Sequence, residues 1–467
     1  MKAGVATPAS GGVPRAGSVL LVSTLLISIV ASLANPQYGS VPGLTPFNTA
    51  IKLIDPAFVV LLASVATAGW LRRGREATPT WKVLSIGSGS LLVAVGCLAA
   101  LLWQAPPYLA GQSLYFVCRP ALILVVLCSW PGWPTNRVWP PVLVFGVANA
   151  LTALGQSSAL ARVGRYNDAD AIIGLLNDAH QQATFSYTLA LLLIGMRHDR
   201  SSVLFRAGRQ ALIVLCLIAG FASQGQKATG ALVMILLMAA TLRVFQSRRR
   251  IRRVLAVAPP AIAAILIVSS LAAGAVLWHA MSLAVAGNLS DRLTRGRYRG
   301  VDFIGDIGAV GMIDDFITVS RGEPLTVLVG LGPASFGSPA ALTRFAAGDV
   351  PPRLKEVFFR ETMNETQLAS AGELRLLGLS AKTGVFGVVL GEYGAIGLLC
   401  FLCATALPFF ARARTAEGAR FLFWLKWAYA AVVVQSMLST LGAWDNDVVM
   451  TVLMVGFAGH LSPESGT

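Results

Sequence analysis

"GVFGVVLGEYGAIGLLCFLCATALPFFA", residues 384–411, contains one charged side chain, Glu392, in a run long enough to cross the hydrocarbon core of a bilayer as a helix. Working outward from it, comparable apolar runs recur at 17–34, 56–71, 83–103, 113–130, 139–155, 183–196, 210–224, 228–242, 255–279, 422–441 and 446–460. Together they make about twelve spans, and because a chain in hydrocarbon must satisfy its own backbone polar groups, each span is expected to be helical. The composition agrees. Of 467 residues, 55% are hydrophobic and 13% charged, and the mean hydropathy is +0.67, too apolar for a water-soluble globule. The expected fold class is an all-α polytopic membrane protein.

The net charge of +15 is first tested against this frame, since so basic a chain could also bind nucleic acid. With the amino terminus in the cytoplasm, the segments on that side hold 20 of the 37 basic residues and four acids, which accounts for the whole excess. The densest is 243–253, with Arg243, Arg248, Arg249, Arg250, Arg252 and Arg253. The basicity is therefore an orientation signal, with both termini cytoplasmic and no nucleic-acid partner. The first span ends "ASLANP", whose small residues resemble a cleavage site, but its apolar run is longer than a signal-peptide core and reads as an uncleaved helix.

The six cysteines, at 97, 118, 128, 216, 400 and 403, all lie in apolar runs, so disulfides are not expected. His180, His198, His279 and His460 are far apart and lack neighbouring cysteines, so neither a metal nor another cofactor is expected.

Most connections are short, whereas 280–383 is far above the usual connection length and so marks a functional region. Alternation of the spans puts it outside. The chain thus divides into nine spans at 1–279, a large external loop at 280–383, and three spans at 384–467. The loop carries eleven basic and eleven acidic residues, and stretches such as "VDFIGDIGAVGMIDDFITV" have the spacing of short helices lying on the membrane. No internal duplication is visible, which counts against a transporter or lipid flippase built from two halves, the rival reading for so many spans.

Cations outside or within the membrane run against the orientation rule and need a reason. "SDRLTRGRYRG", 290–300, places Arg292, Arg295, Arg297 and Arg299 just beyond the span 255–279. They are either a headgroup-contacting stretch or a grip on phosphate oxygens. Arg119 lies about two turns into 113–130, where an isolated charge faces an interior cavity or a partner. Glu392 lies at a similar depth, in a span edged by Gly384, Gly387, Gly391, Gly394 and Gly397, a spacing that lets a neighbouring helix approach closely. Lys227 sits alone between two apolar runs, and Lys426 is placed to snorkel to the inner surface.

Three patches in order resemble the lipid-linked O-antigen ligase and polymerase superfamily of bacterial envelope enzymes. They are "GQKATGALVMILL" (225–237), where Gln226-Lys227 take the places of the family's Ser-Arg; "PLTVLVGLGPASFG" (324–337), with Gly330, Gly332 and Phe336; and "AKTGVFGVVLGEYGAIGLLCFL" (381–402). The match covers roughly 210–460. Where many members, ligases above all, place His-Asn, this chain has Lys382-Thr383, so a histidine base is missing and the polymerase branch is the closer one.

The resemblance implies a metal-independent glycosyltransferase of the bacterial inner membrane. It would polymerise undecaprenyl-diphosphate-linked oligosaccharide repeats into O-antigen, capsular or exopolysaccharide at the periplasmic face. The alternative within the family is a ligase that transfers the glycan to lipid A core. Lys227, Arg119, Arg292, Arg295, Arg299 and Arg321 would neutralise the diphosphate, and Glu392, Lys382 and Arg297 would act at the reacting centre. Glu392 is the first candidate for proton acceptor, ahead of Asp291 or Glu373. Gly330 and Gly332 would form a tight turn, and Lys382 either approaches the phosphate or marks the membrane boundary. Partners would be the lipid-linked donor and acceptor, membrane lipids, a chain-length regulator and a flippase.

Overall fold

The computed structural model describes residues 80–129, 138–163, 172–176, 179–196, 203–223, 323–336, 385–411, 416–438 and 447–461, together with positions 23, 25–27, 57, 232, 236, 316, 320, 338, 340, 341, 344 and 413. These residues are helical with short turns, and no strand occurs among them. In chain order the elements are α1 (Thr80–Leu102), α2 (Pro107–Ser129), α3 (Trp139–Arg162), α4 (Ala179–Gly195), α5 (Val203–Ala222), the short α6 (Pro324–Val329), α7 (Val385–Ala406), α8 (Ala416–Leu438) and α9 (Asp447–Leu461). A 3-10 turn, Leu407–Phe410, continues α7.

Eight of the expected spans coincide with helices. The largest shifts are in α5, which begins at Val203 rather than near residue 210, and α3, which ends at Arg162 rather than near 155; α2 begins at Pro107 rather than near 113. Proline fits the first helical turn because its missing N–H has no partner there, and the small or polar residues that follow do not read as an apolar run. Arg119 is therefore about three turns into its helix. The expected spans at 17–34, 56–71, 228–242 and 255–279 lie almost wholly outside the described residues.

Two packed groups make up the bundle. In one, α1 lies along α7, α6 sits on α7, and α2 pairs with α9; in the other, α4 packs against both α5 and α8, while α3 lies on α5. Contacts of α8 with α9 and of α4 with α9 join them. Helix α4 is buried around nearly its whole circumference, as is α9 from Val448 to Ala458. Close approach depends on absent side chains: a Cβ on Gly220 would overlap the Tyr187 ring at 2.6 Å, and one on Gly456 would press on Leu425 at 2.9 Å.

Large apolar side chains also point away from the protein: Leu101 is 79% exposed, Val144 71% and Phe221 68%. Asn149, Gln182, Ser436 and Thr451, by contrast, are fully buried. Trp139–Arg162 and Val385–Phe410 are long and apolar enough to cross a membrane, and Gly87–Leu102 and Val448–Ala458 are shorter apolar helical stretches. Five cysteines, at 97, 118, 216, 400 and 403, are free thiols.

The helices alternate in direction, so the bundle has two ends. At the lower end, cations cap helix C-termini: Arg209 donates through Nη1 to the carbonyl of Met196 after α4, and Lys426 Nζ donates to the carbonyl of Phe409 at 2.7 Å. The upper end gathers the C-terminus of α1, the N-termini of α2 and α7, and α6.

Candidate functional site

Glu392 is fully buried on α7, and its carboxylate organises the upper end. Oε2 accepts hydrogen bonds from Ser113 Oγ of α2 and from the backbone N–H of Ala334 at 2.9 Å. Oε1 accepts from the N–H groups of Phe336 and Ser338, each at 3.2 Å. Each oxygen thus receives two donors, the pattern that an acceptor-only carboxylate takes. Ser113 has one proton and gives it to Glu392, so the Tyr393 hydroxyl, 2.7 Å away, donates to Ser113 Oγ.

The segment that surrounds Glu392 is "GLGPASFGS", 330–338, which follows α6. It meets α7 where that helix is broken. Gly394 has φ 66° and ψ −168°, values outside the helical region, so α7 is two helical pieces joined across a kink. The break releases carbonyls, and the segment fills them: Leu331 N–H donates to Gly391 O at 2.8 Å and Gly332 N–H to Glu392 O at 3.1 Å. On its other side the Trp103 indole N–H donates to Gly330 O at 3.0 Å. Side chain and backbone of one residue, Glu392, therefore bind the same loop.

Fit as well as hydrogen bonding requires glycine here. Gly330 has φ 81°, and a Cβ on it would lie 2.5 Å from both Glu392 O and Tyr393 N. Ala334 has φ 59°, a left-handed conformation that alanine rarely adopts. Its N–H reaches Glu392 only in that turn, so the bond offsets the conformational cost. Beyond the cage, Ser338 Oγ accepts from Ala341 N–H at 3.1 Å and Arg344 Nη1 donates to Ser335 Oγ at 3.2 Å.

A second polar cluster fastens residues 172–176 at the same end. Asn149 of α3 donates through Nδ2 to Gln182 Oε1 at 2.6 Å and accepts through Oδ1 from Leu175 N–H at 2.7 Å. Gln156 grips Gly174 with both amide atoms, at 2.8 and 3.2 Å. Between α4 and α8, Thr184 Oγ1 lies 2.8 Å from Gln435 Oε1.

The structure brings Glu392, Gly330 and Gly332 together, and it sets Arg119, 3% exposed, against Thr451 of α9 with Nη2 3.4 Å from the hydroxyl. Lys227, Arg292, Arg295, Arg297, Arg299, Arg321 and Lys382 lie outside the described residues, as do Asp291 and Glu373. Ser113, Trp103 and Tyr393 escaped the sequence reading. Their signal is faint: a hydroxyl, an indole and a phenol at the upper ends of apolar runs. The three N–H donors of the loop have no side-chain signature at all. Among the described residues no group of three His, Cys, Asp or Glu side chains could hold a metal ion.

No protein-family model matches the chain, and no curated protein matches it significantly.

Proposed function

We propose that this protein is a polytopic membrane glycosyltransferase, with about twelve spans and both termini cytoplasmic. It polymerises glycan repeats carried on undecaprenyl diphosphate at the outer face of a bacterial inner membrane. One observation carries the reading: two of the three family-like patches, 324–337 and 381–402, interlock through Glu392 at the upper end of the bundle. In this orientation that end lies at the outer headgroup level, where the diphosphate of a membrane-anchored donor resides. The membrane assignment draws support from the long apolar helices and from the large apolar side chains turned outward.

The charge chemistry follows from the leaving group. Departure of a polyprenyl diphosphate develops negative charge, and fixed cations lower that barrier without a metal. Arg119, buried at mid-length of α2, and Lys227 are assigned to it, with the arginines at 292, 295, 297, 299 and 321. Replacing Lys227 or Arg119 by alanine is expected to abolish chain growth while membrane insertion persists. Purified protein given lipid-linked repeats and no ion gradient tests this by gel sizing of the product. Full activity in all of these variants excludes the diphosphate role. Transfer to lipid A core in place of growth on the carrier assigns the ligase branch.

A second reading is favoured by one feature, the discontinuity of α7 at Gly394, because broken helices are a device of carriers. Gradient-dependent lipid movement without a new glycosidic bond establishes that reading instead.

A further inference from the structure

We propose that residues 324–336 form a re-entrant segment seated in the outer leaflet, with Leu325, Val327 and Leu328 against lipid acyl chains and Glu392 as the group that satisfies the backbone so brought in. The inference rests on the membrane reading but not on glycosyl transfer.

The depth follows from α7. Lys426 is charged and its ammonium donates to Phe409 O, so Phe409 lies near the inner boundary, where the ammonium reaches water. Counting back roughly 20 residues, the number that spans the hydrocarbon, puts the outer boundary near residue 389. Glu392 and Gly394 then lie inside the hydrocarbon, and the segment touches both. A Cβ on Gly394 would come within 2.5 Å of Gly330 N, and Gly332 N–H bonds Glu392 O. Two other helices agree. Gly332 lies against Ala99 and Trp103 near the upper end of α1, with its missing Cβ 3.2 Å from Ala99 O, and Ser113 is six residues into α2.

Irregular backbone at that depth is tolerated only where protein covers its polar groups. Most of its N–H groups are covered here: those of residues 331, 332, 334, 336 and 338 go to Gly391 O, Glu392 O and the Glu392 carboxylate, Gly330 N–H returns to Thr326 O, and Gly330 O accepts from the Trp103 indole N–H. The side chains complete the case. On α6, Thr326 and Val329 are buried, whereas Leu325 (48% exposed), Val327 (41%) and Leu328 (47%) face outward. That apolar face continues the exposed surface of α1, which α6 touches and which presents Leu98, Leu101 and Leu102. Water would meet this surface at a hydrophobic cost; acyl chains would not.

The test uses nitroxides on L325C and L328C in the full chain reconstituted into vesicles, with Cys97, Cys128 and Cys403 replaced by serine. Collision with oxygen, which partitions into lipid, is compared with collision with a water-soluble nickel chelate. A label on L399C, midway along α7 and 63% exposed, is the reference. Oxygen-dominated relaxation at all three positions is the expected result. Nickel-dominated relaxation at 325 and 328 with an oxygen-dominated reference overturns the re-entrant segment alone; a nickel-dominated reference overturns the membrane reading itself.

The role of Glu392 has its own readout. Glu392→Gln places an amide N–H₂ against backbone donors. Unlabelled L328C should then react about tenfold faster with a membrane-impermeant maleimide, because a lost charge-assisted hydrogen bond exceeds the free-energy interval of one decade. Ser113→Ala, which removes one donor and leaves the charge, should give a smaller rise and serves if the glutamine variant does not accumulate. Unchanged labelling in both, or in Ser113→Ala alone where only that variant accumulates, overturns the assignment of Glu392.

Discussion

At the scale of single residues, Glu392 and Gly330 carry most of the upper end. Gly330 combines a positive φ with a missing Cβ that leaves room for the α7 backbone. Gly330→Ala therefore meets both strain and overlap with peptide atoms that cannot rotate away, and about 3 kcal/mol of destabilisation is expected. Gly87→Ala is the control, since a Cβ there meets nothing within 4 Å and a helical alanine is favoured. Thermal unfolding in detergent should show a large drop for the first and none for the second; equal midpoints would remove the close approach at Gly330. The sequence exposed Glu392 because an acid amid apolar residues is costly, and it exposed the glycines by their spacing. It did not expose what holds the acid, because backbone N–H groups are the same at every residue and only folding aims three of them at one carboxylate.

Elements were legible to the extent that apolar length defines them. The starts and stops of α1, α4, α7 and α9 fall within a few residues of the apolar runs, while α2, α3, α5 and α8 each run further at one end because polar, charged or small residues there belong to the helix without being apolar. The break in α7 was hidden, since a glycine in an apolar span reads equally as a packing edge and as a kink. Hidden too was the polar clasp by which α3 and α4 hold the turn 172–176. Asn149→Leu leaves Gln182 Oε1 and Leu175 N–H without that partner in the interior, at a cost of about 3 kcal/mol for the two groups. A lower unfolding midpoint should come with hydrogen exchange that speeds first at residues 172–176. Uniform acceleration across all helices would instead mean that the clasp belongs to the global core.

For the whole molecule, the two ends of the bundle carry opposite chemistry. The lower end uses Arg209 and Lys426 to cap helix C-termini. The upper end holds a loop through one buried acid and backbone donors. Large apolar side chains such as Leu101 and Phe221 also face outward, while buried amides and hydroxyls, among them Asn149, Gln182 and Thr451, lie within an otherwise apolar core. Charge bias at short loops sets orientation, so the lower end should remain in the cytoplasm. Alkaline phosphatase, active only outside the cytoplasm, should be active when fused after residue 340 and inactive after residue 200, and a fluorescent protein fused after Thr467 should fluoresce. Reversing the chain would put the six arginines of 243–253 on the outer side, at a cost of about 1 kcal/mol each from lost attraction to the anionic inner leaflet. Equal activity at the two fusion points would mean that a span between 200 and 340 does not cross, and a reversed pattern that the spans before residue 200 are odd in number; in either case the count of about twelve, rather than the helical architecture, would have to change.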